Sequence, residues 1–94
     1  MAKAMKIELP EQLTINHAHA CHDEWEVLLE KPTANELIVT ADKVSRVDTA
    51  GLQLLLALVQ SSKEASITVA WESPSVSLIE AADVLGLTAQ LHLH

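Results

Sequence analysis

Residues 47–52, Val-Asp-Thr-Ala-Gly-Leu, close a short extended run and open the longest apolar helix pattern of the chain. Asp48 or Thr49 can accept hydrogen bonds from the first free N–H groups of that helix. The positive end of the helix dipole favours negative charge at this place, including a phosphate added to Thr49. We therefore predict a strand-to-helix turn that caps the helix and can act as a switch.

Length and composition limit the fold and the location. The chain has 94 residues, which is typical of one domain, and we assign that domain to residues 1–94. About half of the residues are apolar, with two Trp and no Phe or Tyr, so Leu, Val, Ile and Ala must build the core. The longest apolar run, 54–59, is far shorter than the roughly 20 residues that span a bilayer. Together with a single cysteine, this predicts a cytoplasmic protein without membrane insertion.

Charge argues against one class of partner. The formal net charge is −7, and the six Lys and Arg residues are scattered along the chain. Binding to a phosphate backbone requires clustered basic residues. We therefore expect no nucleic acid among the partners.

Periodicity before the turn predicts two strands, a helix and a third strand. Apolar and polar residues alternate on both sides of Pro10, which predicts short strands at 6–9 and 13–16 that pair as a hairpin. Apolar residues at 21, 25, 28 and 29 recur with helical spacing, so a first helix should end near Lys31. The compact apolar run 36–40 predicts a buried central strand.

Periodicity after the turn completes the fold prediction. An apolar stripe predicts a second helix from Thr49 to about residue 62, and residues 67–71 predict the next strand. Ser73 as N-cap and Pro74 as first helical residue predict a third helix that stops at Gly86, and 87–91 could add a last short strand or turn. The expected class is α/β, in the order β-β-α-β-α-β-α. We expect a single mixed sheet of four to five strands, with the helices packed mainly on one face.

The turn resembles that of the STAS family, the sulphate-transporter and anti-sigma-factor-antagonist domains. The resemblance rests on the Asp-Thr-Ala-Gly-Leu sequence at 48–52, placed between Val-Ser-Arg-Val at 44–47 and a Leu-rich helix. The predicted order of elements is similar to the STAS fold along nearly the whole chain. The resemblance implies that Thr49 occupies the phosphorylation position of the family. Ala50 departs from the variant with two adjacent hydroxyls, which leaves Thr49 as the only hydroxyl in the turn.

The resemblance also implies a function. It implies a non-enzymatic bacterial signalling protein of the anti-sigma-factor-antagonist type, whose partner is an anti-sigma factor, a serine kinase or a chemotaxis signalling component. Phosphorylation of the turn hydroxyl would then break a complex. The sequence is also similar to the STAS subunit of the bacterial phospholipid-asymmetry transporter, which implies the alternative of regulating an ABC-transporter ATPase. Weak nucleotide binding stays a third possibility, with no residues assigned to it.

We expect the partner to contact the turn and the start of the second helix. Thr49 would be the switch hydroxyl, Asp48 the carboxylate that orients the turn, and Gly51 the small residue that lets a partner backbone or a kinase approach closely. Gln60 could extend the contact along the helix. The predicted contact residues are Asp48, Thr49, Ala50, Gly51, Leu52 and Gln53.

Histidines and a cysteine near the first helix raise the alternative of an enzyme or a metal site. His19 and His22 could share one helix face, but Cys21 lies on the apolar stripe, where a small core residue is expected. The two glycines of the chain stand far apart, so they cannot form a phosphate-binding loop. We therefore expect no catalytic residue, no metal and no cofactor.

Overall fold

The computed structural model describes residues 4–93. In chain order its elements are β1 (Met5–Glu8), β2 (Gln12–Leu13), α1 (Ile15–Glu30), β3 (Glu36–Thr40), β4 (Arg46–Val47), α2 (Thr49–Glu64), β5 (Thr68–Glu72), α3 (Val76–Val84) and α4 (Thr88–Leu91). The α/β class and the predicted order of elements are confirmed, and the structure adds β4 and α4 to that order.

The main sheet is parallel, with β3 at its centre between β1 and β5. Met5 pairs with Leu37, which in turn pairs with Val69, so alternate residues of the three strands share a face. Residues on the face of Met5 are buried or half-buried, whereas Lys6 and Glu8 on the other face are exposed. This alternation agrees with the prediction that the helices pack mainly on one face.

The predicted hairpin between the first two strands is wrong. β1 pairs with β3 and β2 pairs with β4, both in parallel, so the described strands form two parallel sheets instead of the expected single mixed one. The chain does not reverse at Pro10. The Leu9 N–H still donates to the Thr40 carbonyl at 2.9 Å, and the Glu11 carbonyl already accepts the Ser45 N–H at 2.8 Å. Pro10 has no N–H to donate, so it interrupts a parallel pairing without turning the chain back.

Two helix starts differ from their predictions. α1 begins at Ile15, inside the segment 13–16 that was predicted as a strand, although its end at Glu30 is as predicted. α3 has Ser75 as its N-cap, and not Ser73, because Ser73 lies in a left-handed turn with φ 51°. Gly86 ends α3 as predicted, with φ 69° that a residue bearing a Cβ adopts only with strain.

The core is built mainly from leucine, together with valine, isoleucine and alanine, as composition predicts. The Trp71 Nε1–H donates to the Leu91 carbonyl at 2.7 Å, which ties β5 to α4. The leucines with at most 1% of their surface exposed are Leu9, Leu13, Leu37, Leu52, Leu55, Leu78 and Leu91.

Among residues 4–93, no helix is both long and apolar enough to cross a bilayer.

Candidate functional site

One carboxylate caps two helices at the predicted turn. Asp48 is the N-cap of α2, and its Oδ1 accepts the Gly51 N–H at 2.8 Å. Its Oδ2 accepts the N–H of Ile15, the first residue of α1, at 3.0 Å. Thr14 occupies the N-cap position of α1 without a side-chain capping bond, and the Ile15 N–H donates instead to Asp48, which lies 33 residues after Ile15 in the chain. The starts of α1 and α2 are therefore fixed to each other.

The two helix ends determine the charge of this carboxylate. Two hydrogen bonds lower the pKa of the Asp48 carboxyl below its usual value. The bond from the Gly51 N–H has the larger effect and the bond from the Ile15 N–H the next largest. The positive ends of both helix dipoles act in the same direction. Asp48 is therefore negatively charged at neutral pH, and both of its oxygens are already engaged in internal bonds.

Gly51 packs against the backbone of β2. A Cβ at this position would overlap the Leu13 carbonyl oxygen and lie 2.9 Å from the Leu13 carbonyl carbon. The same oxygen accepts the Asp48 N–H at 3.3 Å, so Leu13 cannot withdraw without losing that bond. The space that a glycine leaves is thus occupied by the chain's own strand, which gives Gly51 an internal packing role.

Thr49 and Gln53 are the exposed members of the predicted contact segment. They lie four residues apart on α2, so they share one helix face, and the exposed Gln60 lies on the same face two turns later. The structure therefore brings Thr49 and Gln53 together at the surface. The other members of the segment are half-buried or buried: Asp48, Ala50, Gly51 and Leu52.

A cleft of about 560 Å³ lies between the turn and α3. Asp48 and Thr49 form part of one wall, and Val84 and Leu85 at the end of α3 form part of the other. Val84 is 82% exposed and Leu85 is 47% exposed, so the end of α3 presents apolar surface to solvent, although Glu80 of α3 also lines the cleft. This apolar end was not expected, because helical spacing predicts that Leu85 lies on the core-facing side of the third helix. The available sign was Val84, an apolar residue that does not fit the spacing of that face.

The residues that suggested enzyme or metal chemistry lie on α1. The pKa of the Cys21 thiol is raised, mainly by burial and secondly by the negative charge of Glu24. The thiol therefore stays protonated and is a weak nucleophile. His22 Nδ1 lies 3.5 Å from the Glu26 carboxylate and 3.8 Å from that of Asp23, and all three side chains are exposed. A His and a Glu at i and i+4 are ordinary neighbours on a helix surface. The expectation that no metal binds stays a prediction.

Comparisons with known proteins agree with this fold. A family model described as "Mlab, STAS domain" matches residues 2–93. A sulfate transporter family protein from Wolinella succinogenes has a similar crystal structure, with a TM-score of 0.77 and 17% sequence identity. The match covers 94% of this chain and 70% of that chain, and at this identity it shows the fold alone. No curated protein matches the sequence.

The family match confirms the resemblance that residues 44–52 suggested. STAS domains generally have no enzymatic activity and mediate protein–protein interactions in regulatory or transporter-associated roles. The exposed turn between β4 and α2, with the apolar end of α3 beside it, is compatible with such a role. The chain belongs to the STAS-domain family.

Proposed function

We propose that this chain is a non-enzymatic bacterial signalling protein of the anti-sigma-factor-antagonist type, acting in the cytoplasm as one domain over residues 1–94. Its partner is an anti-sigma factor, a serine kinase or a chemotaxis signalling component. The partner contacts the turn at 48–53. It touches the exposed Thr49 and Gln53 directly, and the buried and half-buried residues of the turn determine the shape of the surface that it covers. The observation that carries the proposal is that Thr49 is exposed and directly follows a carboxylate whose two oxygens are both bonded.

Phosphorylation of Thr49 would change this surface in a defined way. A phosphate adds close to two negative charges at neutral pH. The N–H groups of Gly51 and Ile15 are already bonded to Asp48, so the phosphate cannot take them without displacing that carboxylate. The new charge then stays at the surface beside the cleft and the apolar end of α3. A partner that covers the bare turn loses affinity through like-charge repulsion and the cost of removing water from the phosphate.

A second candidate function is that of a STAS subunit that regulates the ATPase of an ABC transporter in phospholipid transport. The observation that favours it is the description of the family model that matches residues 2–93, which names Mlab. The same turn would then contact the ATPase. The two candidates differ in the partner and agree on the surface.

Affinity capture from native lysate tests both candidates. Wild-type protein and Thr49→Glu serve as baits, with Thr33→Glu as the matched control. Thr33 is exposed and precedes β3, so it lies at the other end of the sheet from the turn. Retained proteins, and any phosphate on Thr49, are identified by mass spectrometry.

The expected result is a signalling partner that is retained by wild type and Thr33→Glu and lost from Thr49→Glu. Capture of a transporter ATPase with the same pattern selects the second candidate. Identical partners on all three baits would refute Thr49 as the switch and leave it as an ordinary first residue of α2.

A further inference from the structure

An open groove runs along the contact between α1 and α2, away from the turn. It has a volume of about 520 Å³ and is lined by one stripe of residues from each helix, within 22–30 of α1 and 54–61 of α2. No residue of the contact segment 48–53 lines it. The groove begins about two turns beyond the capped start of α1 and, on α2, at Leu54, about one and a half turns beyond Thr49. A partner could therefore occupy the groove without covering Thr49.

The floor of the groove is apolar because of what the two helices bury. Trp25 is 4% exposed, Leu58 is 3% exposed and Leu54 is 9% exposed, and all three line the groove. Between the two leucines α2 carries Ala57, an exposed residue whose single methyl leaves the space open. A larger side chain at Ala57 would fill the groove from the α2 side.

The rim of the groove is acidic. Glu26 and Glu30 are exposed, line the groove and lie four residues apart on α1, which is about one helical turn. His22 is the other titratable residue of the lining, and the α2 wall, which includes Ser61, carries no charged group. The rim thus complements a ligand with two cations about one turn apart.

We propose that this groove binds a short amphipathic helix of a partner protein. The helix places apolar residues against Trp25, Leu54 and Leu58, and it places two Lys or Arg residues opposite Glu26 and Glu30. A second copy of this chain does not fit this description. Within residues 4–93, the helices carry a single Lys or Arg, Lys63, and the net charge of −7 repels another copy.

The test uses a synthetic helical peptide of Leu, Ala and Lys in which the two Lys residues of each pair are four residues apart. Binding is measured at about 0.15 M ionic strength. The same peptide with Glu in place of Lys is the charge control. Dissociation constants come from fluorescence anisotropy of the labelled peptide, and amide and indole chemical shifts locate the contact. The protein variants are Glu26→Gln/Glu30→Gln, which removes the acidic rim, and Ala57→Leu, which fills the groove.

The matched control is Glu36→Gln/Glu72→Gln, which changes the net charge equally at exposed residues of β3 and β5. We expect the Lys peptide to bind wild type and to shift the Trp25 indole signal. Each groove variant should weaken binding about tenfold, which corresponds to a loss of about 1.4 kcal/mol of binding free energy. The control double variant and Thr49→Glu should change it less than about twofold, and thermal midpoints should stay close to that of wild type.

Three results would overturn the proposal. The first is no binding of the Lys peptide. The second is equal weakening by the two double variants, which would show attraction to the overall charge of the protein. The third is unchanged affinity of Ala57→Leu. Because Thr49 is outside the groove, failure here is distinguishable from failure of the switch at the turn.

Discussion

Replacing Gly51 by alanine should destabilise the protein, although helix propensity alone predicts the opposite. Gly51 lies in the first turn of α2, and alanine is favoured over glycine in a helix by about 1 kcal/mol. The added methyl would overlap the Leu13 carbonyl oxygen. That oxygen belongs to backbone, so no side-chain rotation can relieve the overlap.

The expected magnitude follows from what must move. To admit the methyl, β2 and the start of α2 must separate, and the bond from the Asp48 N–H to the Leu13 carbonyl must lengthen from 3.3 Å. Overpacking of this kind costs about 1 to 3 kcal/mol, and losing a hydrogen bond costs about 1 kcal/mol more. After the gain in propensity is subtracted, Gly51→Ala should lower the free energy of unfolding by about 2 kcal/mol. In a domain of this size the thermal midpoint should then fall by roughly 10 °C.

Urea unfolding followed by circular dichroism measures this change. Ala57→Gly, at an exposed position of the same helix, calibrates propensity and should cost about 1 kcal/mol. Gly86→Ala is a second control, because its Cβ would meet no atom within 4 Å and its cost comes from the φ of 69° alone. If Gly51→Ala were as stable as wild type or more stable, the close packing of the turn against Leu13 would be refuted.

Three further predictions concern other bonds of the fold. Because folding lowers the pKa of Asp48, wild type should be more stable than Asp48→Asn above the unfolded-state pKa of about 4. This difference in stability should disappear as the pH falls through the folded-state pKa. Urea unfolding between neutral pH and pH 3 checks this, and a difference that does not depend on pH would contradict it. Trp71→Phe leaves the Leu91 carbonyl without its donor and should cost about 1 to 2 kcal/mol in urea unfolding, so an unchanged midpoint would argue against that bond. Ser75→Ala should cost about 1 kcal/mol by thermal unfolding, whereas Ser73→Ala should cost less, and the reverse ranking would restore Ser73 as the cap of α3.

Much of the secondary structure was predictable because its signals are local. The bounds of β3, Glu36–Thr40, match the apolar run that predicted them, since a compact run with polar flanks has few alternatives. Gly86 was predictable because a helix that ends in a left-handed residue favours glycine. The turn at 47–52 was predictable because an apolar helix pattern follows a residue that can cap a helix, and Asp48 does cap α2.

The parts that could not be predicted depend on distant partners. Alternation around Pro10 indicates strands but contains no information on which strand each one pairs with, so the hairpin was wrong. The predicted N-cap Ser73 was wrong for the same reason, because the Ser75 N–H bonds to the distant Ala41 carbonyl at 3.0 Å and the Ser75 hydroxyl accepts the Leu78 N–H at 3.1 Å. The second role of Asp48 was not predictable either, because Ile15 is 33 residues away.

The all-parallel pairing has a consequence for how the chain folds. Paired residues of β3 and β5, such as Thr40 and Glu72, are 32 residues apart, and Asp48 bonds to Ile15 across 33 residues. Each parallel pair must therefore wait until the helix between its strands has brought the chain back. We expect the helices to form first and the closing of these long loops to limit the folding rate. Until the loops close, the strand edges stay unpaired, and concentrated refolding mixtures should lose protein to aggregation at that stage.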